Sequence, residues 1–302
     1  MPAAPTLSHP PASAVALMAG TVDYAGLFPP AALSMAEAAA EYAAALAGPD
    51  AWLLGRFVVP AGRLAELSAV RAAVADPSPQ WRISAIVADE SDADVDSIAA
   101  FNVAAPEHAM VDAIESKPQR LAGIDWLADR AAGRFDVYVE VGADVDPELW
   151  LARVASSRLR AKIRTGGTTA AAFPQPATVL AFLAAALRAG VRVKATAGLH
   201  HAVRGSYRLT YESDAALAPM YGYLNVLLAA AALRAGWPAA VAEQVLLSTD
   251  PTSLHFRDAA VRWGAVEFST ELLSETRSQH LVSFGSCSFL EPVAELRLLT
   301  TE

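Results

Sequence analysis

The chain has 302 residues, is 54% hydrophobic, carries a formal net charge of −9 and holds a single cysteine, Cys287. That length and apolar content support one large buried core. One cysteine excludes an intrachain disulfide and fits a reducing, cytoplasmic setting. The acidic balance, with no basic run, argues against nucleic acid as a partner. No uninterrupted apolar stretch reaches the ~18–20 residues of a membrane span, so no membrane partner is expected. Residues 1–15 are rich in Pro and Ala and have no Lys or Arg. They lack the charged start of a secretory signal and read as a disordered tail, leaving 16–302 as one domain.

Short β-like runs alternate with Ala-rich helical stretches, the pattern of parallel βα units. The first strand is expected at 21–27, with a helix over 34–47. The second falls at 52–59, with a helix over 61–75, and the third at 81–88, followed by a helix starting near Asp94. The fourth is read at 109–115, with a helical segment over 119–132, and the fifth at 135–141, with a helix over 147–156. The sixth is 159–165, with a helix over 176–189, and the seventh is 191–197. The eighth begins at 280–283 and runs into Phe-Gly-Ser-Cys-Ser-Phe before a terminal helix over 291–299. Eight units in this length match a (β/α)8 TIM barrel of the α/β class. A doubly wound sheet shows the same alternation, but no GxGxxG follows a strand. Residues 202–279 form a helical insertion between strands seven and eight. It is read as a helix over 215–235, a second after Trp237-Pro238, a hairpin over 254–263 and a helix over 267–279. An insertion at that βα loop belongs over the barrel mouth, as a lid or an oligomer contact.

Of the 23 basic residues only three are lysines: Lys117, Lys162 and Lys194. Arginine serves as the general cation, so the retained lysines point to a need for a primary amine. Strand alternation turns Lys162 and Arg164 inward on strand six, and Lys194 and Thr196 inward on strand seven, at the end where barrel enzymes keep their catalytic groups. Two ammonium groups about 6 Å apart repel by roughly 3 kcal/mol at an effective dielectric near 20, or about two pKa units. One amine is then neutral near pH 7 and able to attack a carbonyl. The competing reading pairs each lysine with a carboxylate such as Glu140. The 283–289 run, followed by a helix, suits an anion: Gly285, Ser286 and Ser288 offer donors, with Gly198 as the facing wall.

Glu140, inward with Tyr138, is a candidate acid, base or ion-pair partner. Asp23 and Arg56 are candidates for substrate contact or for pairing with each other. Lys117 reads as a loop cation. His200 and His201 are adjacent, so their side chains diverge on an extended chain, and no HxH or HxxxH spacing supports a metal; a single proton-shuttling His200 is preferred. Cys287 reads as a small buried residue.

Three segments together resemble the deoxyribose-phosphate aldolase family of class I aldolases. Lys-Ile-Arg-Thr-Gly-Gly at 162–167 is similar to its Schiff-base strand. Val-Lys-Ala-Thr-Ala-Gly-Leu-His at 193–200 is similar to its second-lysine strand, and Ser-Phe-Gly-Ser-Cys-Ser-Phe at 283–289 to its phosphate-binding strand. Val-Tyr-Val-Glu-Val-Gly at 137–142 is similar to its fifth-strand glutamate segment. The resemblance covers about a third of the chain. It implies Lys162 as the Schiff-base former, Lys194 as the residue that perturbs it, and Thr165, Gly166, Gly198, Gly285, Ser286 and Ser288 around a phosphorylated substrate. The family's fourth-strand aspartate, part of a proton relay, maps to either Asp112 or Glu115. Arg164 is bulkier than the family's residue, His200 and His201 replace a Gly and an Arg, and the insertion is longer.

The sequence therefore leads to an expected carbon–carbon lyase with Lys162 as nucleophile, a carboxylate from Glu140, Asp112 or Glu115 moving protons, and Arg164, His200, Arg56 and Asp23 near a small anionic substrate. No cofactor and no metal are expected. Rival readings are a barrel isomerase or hydrolase without a covalent intermediate, and a non-catalytic barrel that binds a metabolite or a protein. The apolar run over 224–233 suits either a buried helix or a homo-oligomer contact.

Overall fold

The computed structural model describes residues 10–72, 79–104, 106–142 and 144–300. A short helix α1 (Ala12–Met18) precedes β1 (Val22–Tyr24) and α2 (Met35–Ala47). Next come β2 (Leu54–Pro60), α3 (Leu64–Ala72), β3 (Trp81–Val87), α4 (Asp92–Ala104), β4 (Ala109–Ser116), α5 (Leu121–Ala131) and β5 (Asp136–Glu140). The series continues through α6 (Pro147–Ser156), β6 (Arg160–Arg164), α7 (Pro176–Arg188) and β7 (Val193–Thr196). The insertion holds a hairpin, β8 (Gly205–Arg208) and β9 (Leu217–Met220), then α8 (Tyr223–Arg234) and α9 (Ala239–Leu247). A three-stranded antiparallel sheet follows, β10 (Leu254–Phe256), β11 (Ala260–Trp263) and β12 (Val266–Ser269), and then α10 (Thr270–Gln279). The chain ends with β13 (Leu281–Ser286) and α11 (Leu290–Thr300). Strands β1 to β7 and β13 close into one parallel barrel in the order β1-β13-β7-β6-β5-β4-β3-β2, the expected eight-stranded architecture.

Local chemistry sets the boundaries. Ser34 caps α2 in a reciprocal capping box with Glu37, and Asp146 caps α6, with Pro147 at its first turn. The barrel strands bury both faces, so they read as near-continuous runs of Val, Ile and Ala. Segment 170–188 is apolar enough to pass for a membrane span, with mean hydropathy 1.6. Pro174 and Pro176 divide it, and α7 buries Val179, Phe182, Leu183 and Ala186 on one side.

Several boundaries differ from the sequence reading. The expected tail turns helical at Ala12, while residues 1–9 lie outside the described residues, as do 73–75 of the helix expected over 61–75. The first strand stops at Tyr24 because the chain turns, with the Phe28 amide bonded to the Ala25 carbonyl at 3.0 Å. The helix expected over 215–235 starts only at Tyr223. Pro219 cannot sit in a helix interior, and residues 217–220 pair with β8 instead. The start of the helix expected over 267–279 is strand β12, and Ser269 caps α10 just after it. Residues 223–232 of α8 are buried throughout within this chain, which accounts for their apolarity without an oligomer contact.

The insertion is divided between two ends of the barrel. The β8–β9 hairpin lies at the mouth, where Tyr207 to Tyr211 share a cavity with Pro30 and His200. The β10–β12 sheet packs toward α1, which precedes the first strand, with β11 against that helix.

Candidate active site

Strand register sets the height of each ionisable group. Glu140 pairs in register with Lys162, and Lys162 with Lys194, so three charged side chains stand side by side on β5, β6 and β7. Asp23 on β1 lies opposite Gly285, which lies opposite Thr196. Two β-bulges then aim individual groups. On β4 the ladder skips from Val111 to Ala113, leaving Asp112 as the extra residue and returning Glu115 to the barrel interior. On β2 it skips from Leu54 to Phe57, and the Arg56 amide freed from the ladder donates to Asp23 Oδ1 at 2.7 Å. Gly55 is required there, because a Cβ would stand 2.3 Å from that same oxygen.

The result is a chain of alternating charge across the barrel interior. Lys194 Nζ lies 2.6 Å from Asp23 Oδ2 and 2.5 Å from Glu115 Oε1. Lys162 Nζ lies 2.8 Å from Glu115 Oε2 and 3.0 Å from Glu140 Oε2. Glu115 therefore bridges the two lysines, and Ser84 donates to its Oε1 at 2.7 Å. At the rim, Lys117 and Arg164 approach Glu140 Oε1 at 4.0 and 3.9 Å. Lys194 is sealed at 1% exposure, whereas Lys162, at 6%, is the more accessible amine.

Three interior carboxylates to two lysines overturn the expected electrostatics. Burial alone would lower the Lys194 ammonium, but Asp23 and Glu115 outweigh it and hold it above the ordinary lysine value. Burial would likewise raise the Glu115 carboxyl, yet Lys162 and Lys194 hold it well below the usual carboxylate range. Mutual repulsion of two ammonium groups is thus cancelled by the carboxylates between them. Lys194 is a fixed cation, not a source of a neutral neighbour.

Both lysines line a cavity of about 250 Å³ at the C-terminal mouth of the barrel, together with Glu115, Arg164, Gly198, His200, Gly285 and Cys287. Arg164 is half exposed at its entrance. Gly198 sits at φ +74° with Gly166 Cα 3.0 Å from where its Cβ would be, so two strand ends touch here through glycine. His200 is pushed down to about 4 by burial and by His201, and is neutral near pH 7. The thiol of Cys287 is pushed up by burial, and its Sγ stands 3.6 Å from His200 Nδ1 and from the Tyr211 hydroxyl.

Other expected site residues have different duties. Asp112 and Arg56 lie at the opposite end of the barrel: the Arg56 guanidinium pairs with Asp112 at 2.5 Å and Asp136 at 2.8 Å, and Arg82 joins Asp112 at 2.6 Å. Asp112 lies in the first half of β4 and Glu115 near its C-terminal end, so of the two fourth-strand carboxylates Glu115 is the one in the mouth. Thr165 is buried and donates to the Ala197 carbonyl at 2.8 Å, tying β6 to β7 instead of facing the cavity. The Ser286 hydroxyl meets His200 Nδ1 at 3.3 Å, and the Ser288 hydroxyl accepts from the Glu291 amide at 3.2 Å. The Ser286 hydroxyl is therefore engaged with His200, and the Ser288 oxygen with the start of α11. Acidic groups stand beside them: Glu291 is 3.7 Å from His200, and Glu295 is 2.6 Å from His201. The two histidines point to different partners, as their adjacency implied. Ser84, Glu291 and Tyr211 escaped sequence reasoning. Strand parity alone marks Ser84 as inward, and the other two reach the mouth only through the hairpin and α11.

No family model and no curated protein matches the sequence. Among solved structures, the chain is similar to arginine decarboxylase of Paramecium bursaria Chlorella virus. The agmatine-bound form matches at 10% identity with a TM-score of 0.33, covering 63% of this chain and 50% of that one. A second structure of the same enzyme matches at 10% identity with a TM-score of 0.34, covering 68% and 52%. The chain spans about half the length of those proteins, and a likeness this slight bears on neither activity nor ligand.

Proposed function

We propose that this chain is an enzyme of the class I aldolase type, which makes or breaks a carbon–carbon bond through a Schiff base on Lys162. The observation that carries this reading is the pairing at the mouth: an accessible buried amine between two carboxylates, backed by a second, sealed lysine. Glu140, 3.0 Å from Lys162, accepts the ammonium proton as a substrate carbonyl enters. The neutral Nζ then attacks the carbonyl carbon, and the oxygen leaves as water once protonated, giving an iminium. A carboxylate removes the proton of the substrate's β-hydroxyl, the adjacent carbon–carbon bond breaks, and its electron pair flows into the iminium. An aldehyde departs, the enamine is protonated at carbon, and water releases the second product. Lys194 keeps Glu115 ionised and in place throughout. Arg164, at the entrance and half exposed, is the cation best placed for an anionic substrate.

The double ion pairing of Lys162 favours a second reading, in which the amine stays protonated and acts only as an electrostatic and proton-donating group in an isomerase or hydrolase. Borohydride reduction in the presence of a panel of small aldehydes and keto acids separates the two. The aldolase reading expects a reduced adduct on Lys162 by peptide mass spectrometry, abolished in Lys162→Met. Turnover without any trapped adduct supports the second reading.

A further inference from the structure

The end of the barrel opposite the mouth holds a polar cavity of about 730 Å³ that the proposed chemistry does not use. Its inner wall is the ion-pair cluster in which, among the described residues, Arg56, Arg82 and Arg160 share two carboxylates, Asp112 and Asp136. Its outer wall adds Arg134, Arg158 and Arg192, all exposed, so six arginines and two aspartates line it, an excess of four positive charges. The whole chain carries −9, which makes so local an excess of the opposite sign a feature that general composition does not account for. Among the described residues, neither Arg158 nor Arg192 has a carboxylate within 4.0 Å, and Arg134 contacts only the Arg130 carbonyl and the Phe135 ring.

Backbone conformation supplies an independent observation. After α5 and after α7 the chain leaves the helix through a glycine in the left-handed region, Gly133 at φ +78° and Gly190 at φ +65°. Both glycines border this cavity. After α6 the corresponding position is Arg158, at φ +56°. Glycine is the residue that costs nothing there, and an arginine is strained. The sequence thus keeps an arginine at a site where the backbone favours glycine, and that exposed arginine lines the cavity with no carboxylate partner among the described residues.

We propose that the N-terminal end of the barrel is a binding site for a compact multivalent anion, of the phosphoanhydride or tricarboxylate class. Guanidinium forks match phosphate and carboxylate oxygens in pairs, and an excess of four charges suits a ligand carrying three or more negative charges. The site is separate from the mouth and does not rest on the Schiff-base reading.

Isothermal titration of the full chain with inorganic triphosphate, and separately with citrate, tests this and distinguishes the two anion sources. The expected result is one anion bound per chain, more weakly at physiological than at low salt. Arg158→Gly is expected to weaken binding about tenfold while leaving the thermal midpoint unchanged or raised, because glycine relieves the backbone. The R158E/R192E double variant is expected to lose roughly a hundredfold or more. Lys162→Met is expected to bind the anion like the wild type. Failure of both anions to bind at low salt overturns the proposal, as does wild-type affinity in both arginine variants. Loss of binding in Lys162→Met also overturns it, by moving the anion to the mouth.

Discussion

Replacing Lys194 with methionine removes one charge and keeps most of the side-chain volume, so its cost is electrostatic. The ammonium stands 2.6 Å from Asp23 and 2.5 Å from Glu115, all three at about 1% exposure. At an effective dielectric near 20 each contact is worth about 6 kcal/mol before desolvation is subtracted. In the variant Glu115 still has Lys162 at 2.8 Å and Ser84 at 2.7 Å, whereas among the described residues Asp23 keeps one hydrogen bond, from the Arg56 amide, and only the more distant charges of Arg56 and Arg277. The uncompensated group is therefore Asp23, and leaving one buried partner unpaired costs about 3–5 kcal/mol. Urea unfolding of the variant beside the wild type measures this deficit. Asp23→Asn in the Lys194→Met background keeps the Arg56 contact, removes the orphan charge and restores about 2 kcal/mol or more. The absence of a deficit, or no recovery in the double variant, refutes the assignment of Lys194 as the fixed counter-ion of Asp23 and Glu115.

His200 supplies a pH dependence of its own. Burial holds its folded value at about 4, below the ordinary 6.5, so the unfolded chain binds the extra proton between those values and stability falls as pH drops through that window. The loss attributable to this group is about 3 kcal/mol, seen as the difference between wild type and His200→Asn in urea midpoints from pH 7 to pH 4. Gly198→Ala places a Cβ 2.8 Å from Phe173 and 3.0 Å from the Gly166 backbone at φ +74°. It is expected to cost about 2 kcal/mol or more and to lower activity, read by thermal unfolding and by borohydride trapping at Lys162.

The barrel itself was legible in the chain because its strands are buried on both faces and its helices are Ala-rich, patterns local enough to survive without tertiary information. The inward direction of Lys162, Lys194 and Glu140 was legible for the same reason: strand alternation has a period of two, and β5, β6 and β7 carry those residues without a bulge between them. The places of Asp112 and Arg56 were not legible: both stand in the first halves of their strands, β4 and β2, so they meet at the end of the barrel opposite the lysines, and the β-bulges beside them leave no trace in the sequence pattern. Helical periodicity failed at 215–222, where an antiparallel partner outweighs a segment's own preference.

What the sequence alone determined was the fold class and which strands carry the two lysines, since both follow from nearest-neighbour patterns. The charge state of those lysines was decided only in three dimensions. Asp23, Glu115 and Glu140 come from strands far apart in the chain, and Coulomb energies depend on distances that barrel closure sets. The arginine cluster at the opposite end has the same origin, gathering β2, β3, β6 and the turn after α6 around two aspartates.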